Sequence, residues 1–456
     1  MIAADGAPRV RITVEIEDLA PGGEGLGRAG DRPVFVPFAG PGDVVEAEAT
    51  AGPGPLHATP LRLLRPGPGR IEPPCPHFGP WGRGDACGGC EWQHVPSGRQ
   101  LEAKARALRE SLRRIGRLEP GTYRELPPLA SPSPYRYRSR AKLHLDRAGG
   151  ALAYFRRRSH EPVRPESCAL LAPGLDALRA AMASALARVG LAPREVALEW
   201  SDREGRGSAL LVFREIGPGV RARADALLAA LPALAGVVLG AEGAPPVVVG
   251  EPVLHHDRVP GRPEAGLQLS RPDVFQQANR GANALLVEAA LALLEPEGED
   301  VLELFCGSGN FTGPLADLAR TVSAVEAQGP ALDLARAELA GARGVRFFAG
   351  DALALARAFA REGRRFGAAL LDPPREGAKG IGPVLRDLGV RRAVYVSCDP
   401  ATLARDLRGC VEAGYRLDSI QAVDMFPQTH HVEGVACVVR EDIHPQCPTS
   451  PARGED

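Results

Sequence analysis

From residue 9 to residue 68 the chain alternates short apolar runs, Val10 to Ile16, Val34 to Phe38 and Val44 to Ala49, with turns such as Pro21-Gly22-Gly23 and Gly40-Pro41-Gly42. A period of two at that spacing predicts half-buried strands closing into a small all-β barrel. Residues 99–116 change period. Leu101, Leu108, Leu112 and Ile115 recur at helical spacing among Arg, Lys and Glu, which predicts an amphipathic helix packed by that stripe. A helical run from Leu175 to Val189 and strand-like runs at Ala209 to Phe213 and Val247 to Val249 predict an α+β unit. From Arg271 onward strand and helix patterns alternate. Asp300 to Phe305 reads as a strand, Cys306-Gly307-Ser308-Gly309-Asn310 as a tight glycine turn, Phe311 to Arg320 as a helix and Thr321 to Val325 as a second strand. Such alternation predicts a doubly wound, Rossmann-like sheet. The expected fold is therefore multidomain α/β: a β-barrel over 1–68, a central α+β domain over 69–270, a Rossmann-like domain over 271–440 and a flexible tail over 441–456.

Composition narrows the classes. A chain of 456 residues has room for two or three cores. Lys plus Arg number 55 and Asp plus Glu 56, a formal charge of -1, so any nucleic-acid surface must be local. No apolar run approaches the roughly 20 residues that cross a bilayer, and the N-terminus lacks a basic region followed by an apolar one, so the expected location is the cytoplasm with no membrane partner. Nine cysteines, clustered at Cys75, Cys87 and Cys90 and otherwise scattered, do not form the pattern of an extracellular disulfide framework.

That cluster is a candidate metal centre. Cys87-Gly88-Gly89-Cys90, with Cys75 upstream in Cys75-Pro76-His77-Phe78-Gly79, suits a soft metal or an iron-sulfur cluster, because Gly-Gly lets two thiolates bend back to one site. Cys168 is the best candidate for a fourth ligand, with His77 or His94 as rivals in a zinc reading. A redox dithiol would sit within a βαβ pattern, and none surrounds it. Between Ser131 and Pro165 nine basic residues, Arg136, Arg138, Arg140, Lys142, Arg147, Arg156, Arg157, Arg158 and Arg164, meet only Asp146 and Glu161, with Tyr135, Tyr137, Tyr154 and Phe155 interleaved. Cations that track phosphates and rings that stack on unpaired bases make this the strongest local RNA footprint. The alternative is a solvated charged face.

In the last domain the glycine turn lets a ligand approach the backbone, and Glu326, ending the second strand, can accept hydrogen bonds from ribose hydroxyls. Further strands end at Asp351 and at Asp372-Pro373-Pro374-Arg375. This suits any adenosine cofactor; nicotinamide is the competing reading, without a full GxGxxG. Cys398 follows the apolar run Arg392 to Val396, and Glu433 precedes another. The two would bring a nucleophile and a proton acceptor to one sheet edge.

Two resemblances sharpen these expectations. Asp18-Leu19-Ala20-Pro21-Gly22-Gly23-Glu24-Gly25-Leu26-Gly27 with Val34-Phe35-Val36-Pro37 resembles a TRAM domain, an RNA-binding barrel, although up to residue 68 six Arg and no Lys face nine acids. Phe275-Gln276-Gln277-Ala278-Asn279, Leu304 to Phe311, Asp372 to Arg375, Ser397-Cys398-Asp399-Pro400 and Met425 to Glu433 follow the order found in the RNA 5-methyluridine methyltransferase family. That resemblance implies S-adenosylmethionine as methyl donor, with Gln277, Phe305, Asn310, Glu326 and Asp372 matching binding positions and Asp351 added from its place at a strand end. It implies Cys398 as the nucleophile that adds to C6 of uracil and Glu433 as the base that removes the C5 proton. Cys306 is read as packing. The cysteine cluster and barrel resemble the branch acting on large-subunit ribosomal RNA with a 4Fe-4S cluster, which would make Cys75, Cys87, Cys90 and Cys168 its ligands. Pro80 to Ala86 lengthen the family's gap between the cysteine pieces. The expected target is a uridine of 23S rRNA, exposed in a loop or flipped out. A tRNA T-loop uridine and a noncatalytic RNA-binding or assembly role are the alternatives, and no protein partner is implied.

Overall fold

The computed structural model describes residues 9–50, 52–81, 87–146 and 150–441. Residues 442–456 of the expected tail, Arg147 of the basic stretch and residues 82–86 of the lengthened gap lie outside that range.

Strands β1 (Arg9–Leu19), β2 (Gly25–Ala29), β3 (Arg32–Val36), β4 (Val44–Thr50) and β5 (Leu56–Arg65) close into a barrel in the order β1-β2-β3-β5-β4. The inward positions of the period-two pattern, Val14, Ile16, Val34, Val36, Val45 and Ala47, form its core. Gly27 allows β1 and β2 to meet, since a Cβ there would lie 2.4 Å from the Glu15 carbonyl oxygen. Trp92, buried outside the barrel, donates from Nε1 to the Gly23 carbonyl at 2.9 Å and ties the barrel to the rest of the chain.

Helix α1 (Ser97–Ser111) runs into one wider turn, Leu112–Gly116, and ends at Arg117 in a left-handed conformation, φ 55°. Its buried stripe differs from the apolar one expected. Gln100, Ala103, Lys104 and Leu108 face inward, whereas Leu101 is half-buried and Ile115 is 42% exposed. Buried hydrogen-bond acceptors on another element hold Gln100 and Lys104, so the polar residues win the interior positions that hydrophobicity alone assigns to leucine.

The central unit is a seven-stranded sheet, order β13-β12-β11-β10-β7-β8-β9. It is built from β7 (Arg140–Asp146), β8 (Ala151–Phe155), β9 (Pro162–Val163), β10 (Glu195–Ser201), β11 (Arg206–Phe213), β12 (Leu234–Ala241) and β13 (Ala244–Gly250), with α2 (Pro173–Val189) and α3 (Val220–Ala230) packed on its apolar face. A hairpin, β14 (Leu254–Val259) and β15 (Arg262–Ser270), leads into the last unit.

There an eight-stranded sheet runs in the order β18-β17-β16-β19-β20-β22-β21-β6. Its members are β6 (Arg124–Glu125), β16 (Asp300–Leu304), β17 (Thr321–Glu326), β18 (Val345–Ala349), β19 (Ala368–Leu371), β20 (Arg392–Ser397), β21 (Tyr415–Val423) and β22 (Glu433–Arg440). Apolar side chains from α4 (Arg280–Leu294), α5 (Thr312–Leu318) and α6 (Gly329–Glu338) fill one face. Those from α7 (Ala352–Arg361), α8 (Ile381–Asp387), α9 (Pro400–Glu412) and the end of α1 fill the other. Strands β16, β17, β19 and β20 are buried on both faces, as their near-continuous apolar runs require of a parallel sheet, whereas β18 is a more exposed edge strand. The segment from α1 to β6 thus leaves the N-terminal units and completes this sheet. Among the described residues no helix is long and apolar enough to cross a membrane.

Candidate active site

The register of the sheet assembles the site. Leu304 of β16 lies opposite Leu371 of β19, Leu371 opposite Tyr395 of β20, and Ser397 of β20 opposite Gly434 of β22. The residues just beyond those pairs, Phe305, Asp372, Cys398 and Glu433, therefore gather along one edge. Glu326 and Asp351 follow on the same edge at the ends of β17 and β18. Ligands of open α/β sheets bind outside this carboxyl edge.

The turn after β16 is tightly held. Phe305 takes a left-handed backbone, φ 64°, as do Gly307 at 57° and Gly309 at 94°. Such a conformation costs a phenylalanine energy, so the turn is over-determined: Cys306 donates to the Val325 carbonyl at 3.0 Å and the Gly307 N–H to the Glu326 carboxylate at 2.9 Å. Glu326 also accepts from the Gln328 N–H at 2.8 Å. Cys306 is buried packing. The Asn310 side chain is occupied by protein: it exchanges hydrogen bonds with Asn283 at 2.8 and 3.0 Å and accepts from Gln268 at 3.2 Å. Asp351 caps α7 by accepting from the Ala354 N–H at 2.8 Å. Gln277 is half-buried, while its neighbour Gln276 is buried and donates to the Ser308 hydroxyl at 2.6 Å, joining the Phe275–Asn279 segment to the glycine turn.

Cys398 is half-buried just before α9, whose first turn is capped by Asp399 accepting from Ala401 and Thr402 at 2.9 Å. Burial first, and then the negative charge of Glu433, push the Cys398 thiol up to about 11, with Arg375 opposing. Glu433 is buried, and its carboxyl is raised well above the ordinary range by burial and by Asp372, again opposed by Arg375. Asp372 keeps some surface on the cleft, yet desolvation raises it to about 7. Crowded carboxyls that hold protons near neutrality beside a thiol are suited to moving a proton to or from a bound ring. Sequence reasoning gave no role to Arg375, the cation common to both shifts, although it ends the Asp372 to Arg375 motif. Nor did it find Glu303, fully buried behind the turn, whose carboxyl burial raises to about 8 while the Thr312 hydroxyl donates to it at 2.7 Å. An acid within an apolar strand run was the available signal.

Away from this edge, Cys75, Cys87, Cys90 and Cys168 line one cavity together with His77, Arg138 and Tyr154. Burial raises the Cys75 and Cys90 thiols and pushes Cys87 up to about 11; all three also feel Cys168, and Arg138 opposes the shift at Cys87 and Cys90. The Arg138 Nε is buried without a hydrogen-bond partner. His94 lies elsewhere, against the barrel. Among the described residues no three His, Cys, Asp or Glu side chains stand together as a single-ion site. Much of the expected RNA footprint is paired with other protein groups, some buried and some, as at Lys142 and Arg164, at the surface. Arg140 donates to the carbonyls of Val274 and Pro272, Arg157 reaches Glu24 at 3.4 Å, Lys142 pairs with Glu195, and Arg164 with Asp146. Tyr137 is buried, donating to the Pro427 carbonyl. Arg136 stays exposed.

A doubly wound sheet carrying a glycine turn and a strand-end glutamate at its carboxyl edge defines a class, the α/β proteins built to hold an adenosine cofactor there. Residues 267–440 match the family model described as tRNA (Uracil-5-)-methyltransferase, and residues 9–59 match the TRAM domain. The chain is 36% identical to the 23S rRNA (uracil(1939)-C(5))-methyltransferase RlmD of Alkalilimnicola ehrlichii, covering 95% of this chain and 98% of the relative. It is 37% identical to the protein of the same description from Pseudomonas putida, over 93% and 92% of the two chains. The chain belongs to the RNA (uracil-5-)-methyltransferase family. The crystal structure of Pyrococcus abyssi tRNA (uracil-54, C5)-methyltransferase shares the fold, with a TM-score of 0.73 at 22% identity over 94% of this chain and 99% of that one.

Proposed function

We propose that this protein methylates C5 of a uridine in 23S rRNA, with Cys398 as covalent nucleophile and Glu433 as base. The observation that carries this reading is the Ser397–Gly434 pairing, which sets the thiol and the carboxyl side by side at the cofactor edge. S-adenosylmethionine, when bound, supplies an electrophilic methyl group. The open glycine turn, where a Cβ at Gly307 would meet nothing within 4 Å, and the Glu326 carboxylate suit its adenosine, with Gln277, Phe305, Asp351 and Asp372 around it. Asn310 contributes by fixing the turn through Asn283.

Cys398, as thiolate, adds to C6 of the uracil, and the electron pair of the C5–C6 bond moves into an enolate whose C5 is nucleophilic. C5 takes the methyl group and the donor leaves as the thioether. Glu433 then accepts the C5 proton; the electrons re-form the C5–C6 double bond and expel the Cys398 thiolate. Such access requires the uridine out of its stack. The work belongs to the cytoplasm, where ribosomal RNA is modified, and the names carried by the full-length relatives favour ribosomal RNA over a tRNA T-loop.

Four thiols lining one cavity with Arg138 suit a 4Fe-4S cluster, which takes four thiolate ligands and carries negative charge that a buried guanidinium offsets. Cys75, Cys87, Cys90 and Cys168 would hold it.

The test is methylation of a 23S rRNA transcript by purified protein, followed by mapping of 5-methyluridine. Cys398→Ala abolishes transfer while RNA binding persists; turnover by that variant would sink the mechanism.

A further inference from the structure

Helix α1 carries Gln100, Lys104 and Leu108 four residues apart, which places them on one stripe. That stripe faces the β21–β22 hairpin, whose second strand begins at Glu433. Gln100 and Lys104 are 1% and 0% exposed. Polar groups so buried persist only against matching partners. Besides the Trp92 and Val95 carbonyls, to which the Gln100 amide also donates, their partners lie on the hairpin loop, residues 424–432. The Lys104 ammonium sits 2.5 Å from the Asp424 carboxylate and donates to the Phe426 carbonyl at 3.0 Å. The Gln100 side-chain carbonyl accepts from the Gln428 N–H at 2.8 Å, and its amide N–H reaches the Gln428 side-chain oxygen at 2.9 Å. Leu108 meets the hairpin next to the acid itself, since a Cβ on Gly434 would lie 3.2 Å from its methyl carbon.

The loop needs holding. Gln428 takes a left-handed backbone, φ 70°, which a residue with a side chain adopts only where its surroundings compel it. Its carbonyl accepts from the N–H groups of Glu91 and Trp92 at 2.9 and 3.0 Å, and the Asn279 amide holds the Met425 carbonyl at 3.1 Å. A hairpin clamped at both ends of its loop delivers its first strand residue in one place. A proton transfer between Glu433 and C5 depends on that placement more than the earlier thiol attack does, because Cys398 stands between β20 and α9, outside the hairpin.

We infer that Gln100 and Lys104 are positioning residues for the base, holding the 424–432 loop so that Glu433 meets the C5 proton after methylation. This rests on the mechanism proposed above and adds to it the helix that sets the proton-abstraction step.

The experiment follows the Cys398–RNA adduct by denaturing gel in single-turnover reactions of the full chain with a 23S rRNA transcript and S-adenosylmethionine. In Gln100→Ala, adduct formation stays within about threefold of wild type while its resolution slows roughly tenfold or more, so adduct accumulates. The double variant Lys104→Met, Asp424→Leu removes the ion pair without stranding a charge and accumulates adduct likewise. Gln428→Gly tolerates the left-handed backbone, removes only the side-chain half of the clamp, and serves where Gln100→Ala does not fold. Equal slowing of formation and resolution, reduced turnover without adduct, or wild-type turnover in these variants overturns the assignment. A wild-type protein that forms no adduct with this RNA overturns the mechanism itself and the assignment with it.

Discussion

Ser397 pairs with Gly434 across the antiparallel junction of β20 and β22, so Cys398 leaves the sheet at the place where Glu433 enters it. A slip of one residue in that register would turn Glu433 to the opposite face of the sheet. The pairing is therefore what makes a cysteine and a glutamate, 35 positions apart in the chain, one catalytic unit.

If Glu433 removes the C5 proton, replacing it stops the reaction after methyl transfer. Glu433→Gln keeps the size of the side chain and loses the base, so a covalent protein–RNA complex carrying the transferred methyl accumulates. Denaturing gels with radiolabelled methyl donor measure it, and a variant that stalls without adduct removes Glu433 from that role.

The Cys398 thiol, raised to about 11 by burial and by Glu433, is protonated near neutrality. Only the thiolate reacts, so alkylation of Cys398 by iodoacetamide, read by mass spectrometry, rises about tenfold per pH unit through the range below that value. Since the Arg375 guanidinium opposes the rise, Arg375→Ala raises the thiol pKa further and slows alkylation at a fixed pH of about 8. A pH-independent rate, or faster alkylation in the variant, contradicts the arrangement.

Protein purified without oxygen should contain iron and inorganic sulfide, and Cys90→Ser should lose both. Zinc alone would overturn the cluster. Because Glu91 and Trp92, which follow Cys90, hold the Gln428 carbonyl, Cys90→Ser should also raise amide hydrogen exchange in residues 424–432.

Arg136 is exposed and in a left-handed conformation, φ 58°, beside a stretch whose other cations are largely paired. Arg136→Ala should weaken RNA binding and reduce the slope of log K against log salt by about 1, as loss of one phosphate contact does. Unchanged salt dependence would remove it from the RNA surface.

The periodicities located the barrel, the run from Leu175 to Val189 and the alternating strands after Arg271, because those elements bury one face or both and must write that in apolar spacing. The order of motifs named the family, and the chemistry of a thiol and a carboxyl pointed to the reaction. Helix α1 shows where such reading stops. Its position was legible, but its inward face was not, since the burial of Gln100 and Lys104 depends on partners more than 300 residues away, Gln428 and Asp424. The arginines of 131–165 show the same limit: their charge is legible, while whether each meets phosphate or a buried carbonyl depends on what the fold brings opposite it. Local spacing and side-chain chemistry thus determined which elements form and which reaction they can serve. Register and long-range pairing decided which residues meet, because hydrogen bonds and desolvation act between neighbours in space.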